Sequence, residues 1–137
     1  MSQPLSVDAS VFVNAFNPTE EGSDHSWEYL NSLKRAGTPI IVPALLLPEI
    51  AASIARKKDD AELGIQLAQD VRNIPNLTLI SLDESLAEQA VEIAARYRLR
   101  GSDAVYTAVA LRFGTDLVTL DREQLERLAG VLTVREP

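Results

Sequence analysis

Several kinds of residue are missing or scarce in this sequence of 137 residues, and each absence excludes a class of site. There is no cysteine, which excludes disulfides, thiolate catalysis and cysteine-ligated zinc or iron–sulfur sites. The single histidine excludes a histidine-rich zinc site. No apolar run reaches the roughly 18 residues that a membrane-spanning helix needs. The start, Met1–Pro4, lacks the basic and apolar regions of a signal peptide. We therefore expect a cytoplasmic protein with no membrane association.

Basic residues are also in the minority. The chain has 13 Lys and Arg against 20 Asp and Glu, which gives a net charge of −7. This balance excludes a generic basic nucleic-acid binder held by diffuse counterion release. It does not exclude an enzyme that reaches nucleic acid through a bound metal. Length and a hydrophobic content of 46% are typical of one globular domain, so we predict a single domain over residues 1–137.

Short apolar runs alternate with longer segments of helical periodicity along the whole chain. The predicted strands are Leu5–Val7, Ile40–Val42, Leu77–Ile80, Leu117–Leu120 and Val131–Val134. The predicted helices are Ala9–Phe16, a segment from Ser23 or Asp24 to Gly37, Leu45–Lys58, Asp59–Ile74, Asp83–Tyr97 after a Ser81–Glu84 capping box, Asp103–Phe113 after a Ser102 cap, and Arg122–Ala129. Strands separated by helices pair in parallel through right-handed crossovers. The pattern predicts a three-layer α/β/α sandwich with a central parallel sheet of about five strands.

Four acidic residues are expected at one edge of this sheet. Asp8 and Asp121 directly follow strands, Asp103 lies in the first turn of a helix, and Glu49 lies early in the helix after the second strand. Ligands of such sheets bind beyond the carboxyl ends of the strands. Each aspartate also has a plainer interpretation as a helix cap. Glu49 has one as a surface residue or a partner for an arginine.

Clustered carboxylates have a definite chemistry. Two of them about 4 Å apart repel each other by about 4 kcal/mol at an effective dielectric of 20. Four must therefore bind cations or take up protons. An all-oxygen site without cysteine or a nearby histidine suits Mg²⁺ or Mn²⁺ rather than zinc. Such sites carry out metal-assisted hydrolysis, most naturally of phosphate esters. The residues alone thus predict a divalent metal and a phosphate.

Four short motifs occur in order along the chain: Val7–Ser10, Pro48–Ile50, Leu99–Tyr106 and Leu117–Asp121. Together they resemble the PIN-domain family of metal-dependent ribonucleases, and within it the small VapC-like toxins. The resemblance implies a parallel α/β/α sandwich that holds one or two Mg²⁺ or Mn²⁺ ions and cleaves RNA. It also implies a homodimer and a possible cognate antitoxin. The metal-binding and catalytic residues carried over by motif are Asp8, Glu49, Asp103 and Asp121.

Four further residues are candidates for supporting the acids or binding substrate. Ser10 and Thr119 match the hydroxyl residues beside the first and last acids of the family; backbone bonding and strand propensity are their plainer interpretations. Asn14 lies one helical turn after Ser10, on the same face, although an exposed amide is its plainer interpretation. Arg100 leads into the Asp103 motif and could contact a substrate backbone.

The remaining conspicuous residues have structural interpretations. We assign the basic run Arg56–Lys58 to complementing a helix dipole, and His25 to a solvated helix. Trp27 is expected in the core or an interface, Tyr106 and Phe113 are expected to be buried, and Asp116 is expected at the sheet edge opposite the acids.

Two other functions remain open from the sequence. One is a phosphatase or phosphotransferase that uses Asp8 as a covalent nucleophile. That chemistry usually needs a lysine near the phosphoryl group, and none of Lys34, Lys57 and Lys58 is predicted at this edge. The other is a catalytically silent PIN-like binding module, which the presence of all four acids argues against.

Overall fold

The structure is a computed structural model that describes residues 3–137. Its centre is a five-stranded sheet in the order β3-β2-β1-β4-β5, and every pair of neighbouring strands is parallel. The predicted parallel α/β sheet is therefore confirmed. The strands are β1 (Leu5–Val7), β2 (Ile40–Pro43), β3 (Leu77–Ile80), β4 (Asp116–Val118) and β5 (Val134–Arg135).

The helices form two groups around the sheet. The first four pack against one another, whereas the fifth packs on the sixth, and the sixth contacts three strands of the sheet. Within residues 3–137, no helix is both long and apolar enough to span a membrane. The helices are α1 (Ala9–Ala15), α2 (Ser23–Ala36), α3 (Leu46–Lys58), α4 (Ala61–Arg72), α5 (Glu84–Tyr97), α6 (Gly101–Phe113) and α7 (Arg122–Arg127).

The strand order creates a switch point between β1 and β4. The chain builds outward from β1 to β2 and β3, and then returns to place β4 on the other side of β1. Val7 of β1 is in register with Val118 of β4, and the Asp8 N–H donates to the Val118 carbonyl at 2.9 Å. The crossovers on either side of such a point diverge and leave an opening beyond the carboxyl ends of the strands. The residues that follow β1 and β4 face that opening.

Helix α6 packs on the sheet next to the switch point. It is the helix with the most buried residues. The residues from Asp103 to Ala110 are all buried, without the polar stripe of a surface helix. The helix packs on β1, β2 and β4 and against α5. A helix enclosed on all sides is apolar around its whole circumference. Its few polar side chains, among them Asp103 and Tyr106, are therefore held firmly by the core.

Some element boundaries differ from those predicted. Strand β4 ends at Val118, before the predicted end at Leu120, because the Thr119 hydroxyl accepts a hydrogen bond from the Asp121 N–H and turns the chain. Strand β5 pairs with β4 at Val134–Arg135, rather than over the predicted Val131–Val134.

Several helices also begin one or two residues from the predicted start, among them α3 at Leu46 and α4 at Ala61. Asp83 caps α5 by accepting a hydrogen bond from the Leu86 N–H at 2.8 Å, in place of the predicted capping box. Helix α6 begins at Gly101 with Arg100 as its N-cap, so Ser102 lies inside the helix. Gly22 precedes α2, with a φ of 81° in the left-handed region that glycine tolerates.

Three of the residues interpreted as structural lie away from the acids: His25, Trp27 and Phe113. His25 is exposed and hydrogen-bonds the Pro137 carbonyl. Trp27 is half-exposed and packs edge-on against Phe16. Phe113 is 44% exposed, so the prediction that it is buried is wrong: α6 runs out of the core in its last turn.

Helices α3 and α4 approach so closely at Gly64 that there is no room for a side chain. A Cβ at this position would lie 2.5 Å from the Ala51 carbonyl oxygen of α3. We expect Gly64→Ala to destabilise the protein by about 1–3 kcal/mol, as overpacking does, although alanine is the better helix former. Urea unfolding measures the difference. Gly101→Ala, which meets no atom within 4 Å, is the control and should be neutral or stabilising. Equal effects of the two substitutions would contradict this close approach.

Candidate functional site

Asp8 is the central carboxylate of the site. It follows β1 and is only 5% exposed. Its Oδ2 accepts hydrogen bonds from Ser10 Oγ at 2.8 Å, Thr119 Oγ1 at 2.9 Å and Gln124 Nε2 at 3.3 Å. Although Asp8 occupies the N-cap position of α1, its side chain caps no amide there. Burial raises the pKa of Asp8, and the Ser10 and Thr119 hydrogen bonds oppose this rise.

Asp103 lies beside Asp8, in the first turn of α6. Its Oδ1 accepts from Gln124 Nε2 at 3.3 Å, and its Oδ2 accepts from Arg100 Nε at 2.9 Å. Burial is the main cause that raises the pKa of Asp103. The negative charges of Asp8 and Asp121 add to the rise, whereas Arg100 opposes it. The cost of burying this carboxylate thus exceeds what one guanidinium offsets.

Glu49 approaches the same place from α3. Its Oε1 accepts a hydrogen bond from the Tyr106 hydroxyl of α6 at 2.7 Å. Burial raises the pKa of Glu49, and the charges of Asp8 and Asp103 raise it further. Burial and the neighbouring Glu49 charge also raise the pKa of Tyr106, so its phenol keeps the proton that it donates. The buried Tyr106 hydroxyl therefore orients Glu49, and the charges of Asp8 and Asp103 act on its carboxylate.

Asp121 combines the two roles that the sequence left open. It is the N-cap of α7, and its Oδ1 accepts from the Glu123 N–H at 2.8 Å. Its Oδ2 accepts from Arg100 Nη2 at 2.8 Å. The capping interpretation holds for Asp121, therefore, whereas it does not hold for Asp8. Through Arg100, Asp121 is also joined to Asp103.

The two predicted hydroxyl residues connect the ends of β1 and β4. Ser10 donates to Asp8 and accepts from the Leu120 N–H at 3.0 Å. Thr119 donates to Asp8 and accepts from the Asp121 N–H at 3.0 Å. Each hydroxyl thus orients the first carboxylate and satisfies a backbone amide at the turn after β4.

Asn14 is not brought to the acids. It is buried, and its Nδ2 donates to Glu20 Oε1 at 2.9 Å and to the Glu21 carbonyl at 3.0 Å. Its Oδ1 accepts from Ser26 Oγ at 2.7 Å. The Asn14 amide therefore holds the segment between α1 and α2 by hydrogen bonds. The expectation that this side chain is exposed is wrong.

The sequence reasoning missed Gln124. Its side chain is completely buried, and its one amide nitrogen contacts both Asp8 and Asp103. Its Oε1 is buried without a hydrogen-bond partner among the described residues. The available signal was helical spacing: Gln124 lies four residues before Leu128, which is also fully buried, so a polar side chain shares the inward face of α7. Gln124 therefore places one neutral hydrogen-bond donor between two carboxylates.

An open cavity of about 660 Å³ extends from the acids along α3. Arg56 and Lys57 lie in its wall, and Lys57 Nζ forms an ion pair with Glu20 Oε2 at 3.3 Å. Assigning this basic run to the helix dipole alone is therefore incomplete, and one lysine does lie beside the predicted edge. Other residues of the wall are Ser10, Glu49, Ser53 and Asp121.

The carboxylate oxygens of the four acids suit a hard divalent cation as ligands. In the structure, protein side chains compensate their negative charge instead. Within residues 3–137, no group of three or more His, Asp or Glu side chains is arranged to hold a metal ion. The guanidinium of Arg100 and the amide of Gln124 occupy carboxylate oxygens instead. All the donors are oxygens, which Mg²⁺ and Mn²⁺ prefer. The chemistry of the residues fits such an ion, and its arrival requires these contacts to rearrange.

Raised carboxylate pKa values predict how the metal-free protein responds to pH. Because Asp8, Glu49 and Asp103 hold protons more tightly when folded, the free energy of unfolding falls as pH rises from their ordinary values through their raised ones. In EDTA, we expect the melting temperature to rise as the pH is lowered from neutral toward the ordinary pKa values of these carboxylates. Asp8→Asn, which keeps an acceptor oxygen but does not titrate, should reduce that rise.

Thermal unfolding at several pH values measures this effect. Glu88→Gln, which alters an exposed acid on α5, is the control and should keep the wild-type profile. If Asp8→Asn also kept that profile, burial of the Asp8 charge would not influence stability.

The fold is similar to that of several solved structures. The Mycobacterium tuberculosis toxin VapC20, described as cleaving the sarcin–ricin loop, is 18% identical with a TM-score of 0.77, over 97% of this chain and 99% of that one. VapBC2 from Rickettsia felis, bound to a DNA fragment from its promoter, is 16% identical with a TM-score of 0.71, over 98% of each chain. FitAcB from Neisseria gonorrhoeae is 16% identical with a TM-score of 0.68, over 97% of each chain.

These identities establish a shared fold. A search of curated protein sequences gives no match. The family model of the PIN domain matches residues 5–131, which include all four acids and nearly the whole chain. The chain therefore belongs to the PIN domain family.

Proposed function

We propose that this protein is a Mg²⁺- or Mn²⁺-dependent ribonuclease that hydrolyses RNA phosphodiester bonds. The observation that carries the proposal is the gathering of acids at the switch point of a PIN domain. Asp8 and Asp103 share one donor, and Asp103 and Asp121 share another. The negative charges of Asp8 and Asp103 also raise the pKa of Glu49. Carboxylates that raise one another's pKa in a partly buried cleft are typical of a functional site.

The four acids would hold the metal. The chemistry that such an ion would supply there is activation of a water and stabilisation of the leaving oxygen of a phosphodiester. The chain's other residues orient the ligands: Ser10 and Thr119 direct Asp8, and Tyr106 directs Glu49. Partners that hold metal ligands typically change activity or metal affinity by about 10- to 100-fold when removed.

The cavity along α3 offers a path for the RNA backbone. Arg56 lies seven residues after Glu49 on the same helix, about 10 Å away at the rise of an α-helix, and both line the cavity. Arg56 and Lys57 supply positive charge in the wall of this cavity, although the net charge of the protein is −7. Phosphate contacts of this kind position a substrate without reading its sequence.

Metal-dependent cleavage is the first test of the proposal. With Mg²⁺ or Mn²⁺, the wild-type protein should cleave RNAs of a mixed-sequence panel, and EDTA should abolish cleavage. Asp8→Asn should lower the rate by more than about 100-fold, because it alters a proposed metal ligand. Gel analysis of the RNA products measures both effects.

Asp116→Asn is the matched control, since Asp116 lies at the opposite end of β4 and pairs with Arg135. It should leave cleavage unchanged. Cleavage in EDTA, or full activity of Asp8→Asn, would contradict the proposed mechanism.

We also infer that the protein is the toxin of a toxin–antitoxin pair, with an antitoxin as its partner. Two similar structures are described in these terms: VapC20 as a toxin, and one from Klebsiella pneumoniae, 18% identical with a TM-score of 0.64, as a toxin–antitoxin complex. Expression of the wild-type chain in a bacterial host should arrest growth, whereas expression of Asp8→Asn should not. Equal growth of both cultures at equal protein levels would count against a toxin.

The alternative functions make different predictions in the same assays. A phosphotransferase would accumulate a phosphorylated Asp8, yet this carboxylate is nearly enclosed and accepts hydrogen bonds from three side chains. The lysine nearest to such chemistry, Lys57, is paired with Glu20. A silent binding module would cleave no RNA and would not respond to Mn²⁺ in thermal unfolding.

We further propose a homodimer formed through α5. The chain exposes an apolar surface around a shallow cavity of about 410 Å³. Val91 is 67% exposed and Leu82 is 49% exposed at this cavity, and its wall continues to Gly101 and Ser102 beside Arg100. Exposed apolar patches of this kind commonly mark protein interfaces.

Removing this apolar character should separate the subunits. We expect Val91→Glu to convert a dimer into a monomer, because a charge would be buried without a partner at the interface. Light scattering coupled to size-exclusion chromatography gives the mass. The neighbouring Glu88→Gln, which adds no charge to the patch, should remain dimeric. A wild-type monomer, or a dimeric Val91→Glu protein, would contradict the proposal.

A further inference from the structure

Arg100 closes the acidic site from its open side. Its Nε donates to Asp103 Oδ2 at 2.9 Å, and its Nη2 donates to Asp121 Oδ2 at 2.8 Å. One planar guanidinium thus holds two carboxylates that come from different helices. Among residues 3–137, it is the only cationic side chain that forms a salt bridge with any of the four acids.

The two sides of these ion pairs are buried very differently. The Arg100 side chain is 70% exposed, whereas those of Asp103 and Asp121 are 10% and 18% exposed. An exposed arginine gains little from a salt bridge and loses little when it leaves. The carboxylates cannot leave with it, because their helices hold them. Arg100 is therefore the mobile partner of a fixed pair of acids.

A divalent cation bound by Asp103 and Asp121 would need the oxygens that Arg100 now contacts. It would also carry two positive charges close to a third, so metal and guanidinium repel each other at this distance. Arg100 has somewhere to go: its side chain is largely in solvent, and Asp121, which it contacts, lines the cavity along α3. Arginine binds phosphate in the same bidentate manner as carboxylate.

We propose that Arg100 is a displaceable counter-ion of the metal site. Without metal it neutralises Asp103 and Asp121. When a divalent cation takes these oxygens, the released guanidinium binds an RNA phosphate in the cavity along α3, a step that rests on the proposed ribonuclease function. The same side chain thereby stabilises the empty site and serves the substrate once the site is filled.

Metal affinity in the absence of RNA tests the first half of this proposal. In calorimetric titration with Mn²⁺, Arg100→Gln should bind the ion roughly three- to tenfold more tightly than wild type, since two weak competing ion pairs are lost. Its melting temperature in EDTA should be lower, and the increase caused by Mn²⁺ should be larger. Arg100→Lys, which keeps the charge but not the two-pronged geometry, should lie between these proteins.

Arg96→Gln is the matched control, because it removes the same charge and one exposed ion pair, with Glu92, on α5. It should bind Mn²⁺ like wild type. Unchanged or weaker Mn²⁺ binding by Arg100→Gln would overturn the proposal, because an arginine that only braces the fold does not compete with the ion. This outcome does not depend on whether RNA is cleaved, so it is separate from failure of the ribonuclease proposal.

Cleavage kinetics test the second half. At saturating Mn²⁺, Arg100→Gln should raise KM for a cleaved RNA by roughly tenfold, with a smaller change in kcat, as loss of a phosphate contact does. Raising the salt concentration should weaken wild-type RNA binding more steeply than that of the variant. An unchanged KM would show that the released arginine does not reach the substrate.

Discussion

Mutual repulsion among partly buried carboxylates is the constraint around which this protein is organised. Parallel pairing of β1 with β4 brings Asp8 beside the segment that carries Thr119 and Asp121, and α6 delivers Asp103 to the same opening. Burial alone disfavours such charges, and proximity adds to the cost. The surrounding polar groups have to be understood as compensation for that cost.

The compensation differs in kind across the site. Hydroxyl groups and the Gln124 amide serve the enclosed Asp8, where a full positive charge would itself have to be desolvated. Arg100 serves the outer acids, where its charge stays in water. Neutral donors therefore compensate the carboxylate in the interior of the site, and the charged donor lies at the surface, where its charge stays hydrated. Strain of this type at a functional site is a usual exception to the local rules that make a sequence foldable.

Local patterns were sufficient for the architecture and for the positions of the acids. Strand–helix alternation predicted the parallel sheet, and the rule for strand ends predicted where Asp8 and Asp121 would face. Boundaries were less predictable, because β4 ends where the Thr119 hydroxyl accepts a backbone hydrogen bond, which strand propensity does not register. The expectation for Phe113 failed for a related reason: helical spacing from Tyr106 shows a shared face but not where the core stops.

The order of residues along the chain was enough to indicate an oxygen-rich site in a PIN-like sheet, because strand ends, helix turns and motif spacing are local properties. The partners of those oxygens depend on distant segments that meet when the sheet closes. Asn14 was drawn away to Glu20 and Ser26, while Gln124 was brought in between Asp8 and Asp103. Helical periodicity gives the direction of each side chain, but the neighbour that it meets is set by packing. The roles of Gln124 and Arg100 follow from that packing, since each joins acids that lie on separate elements.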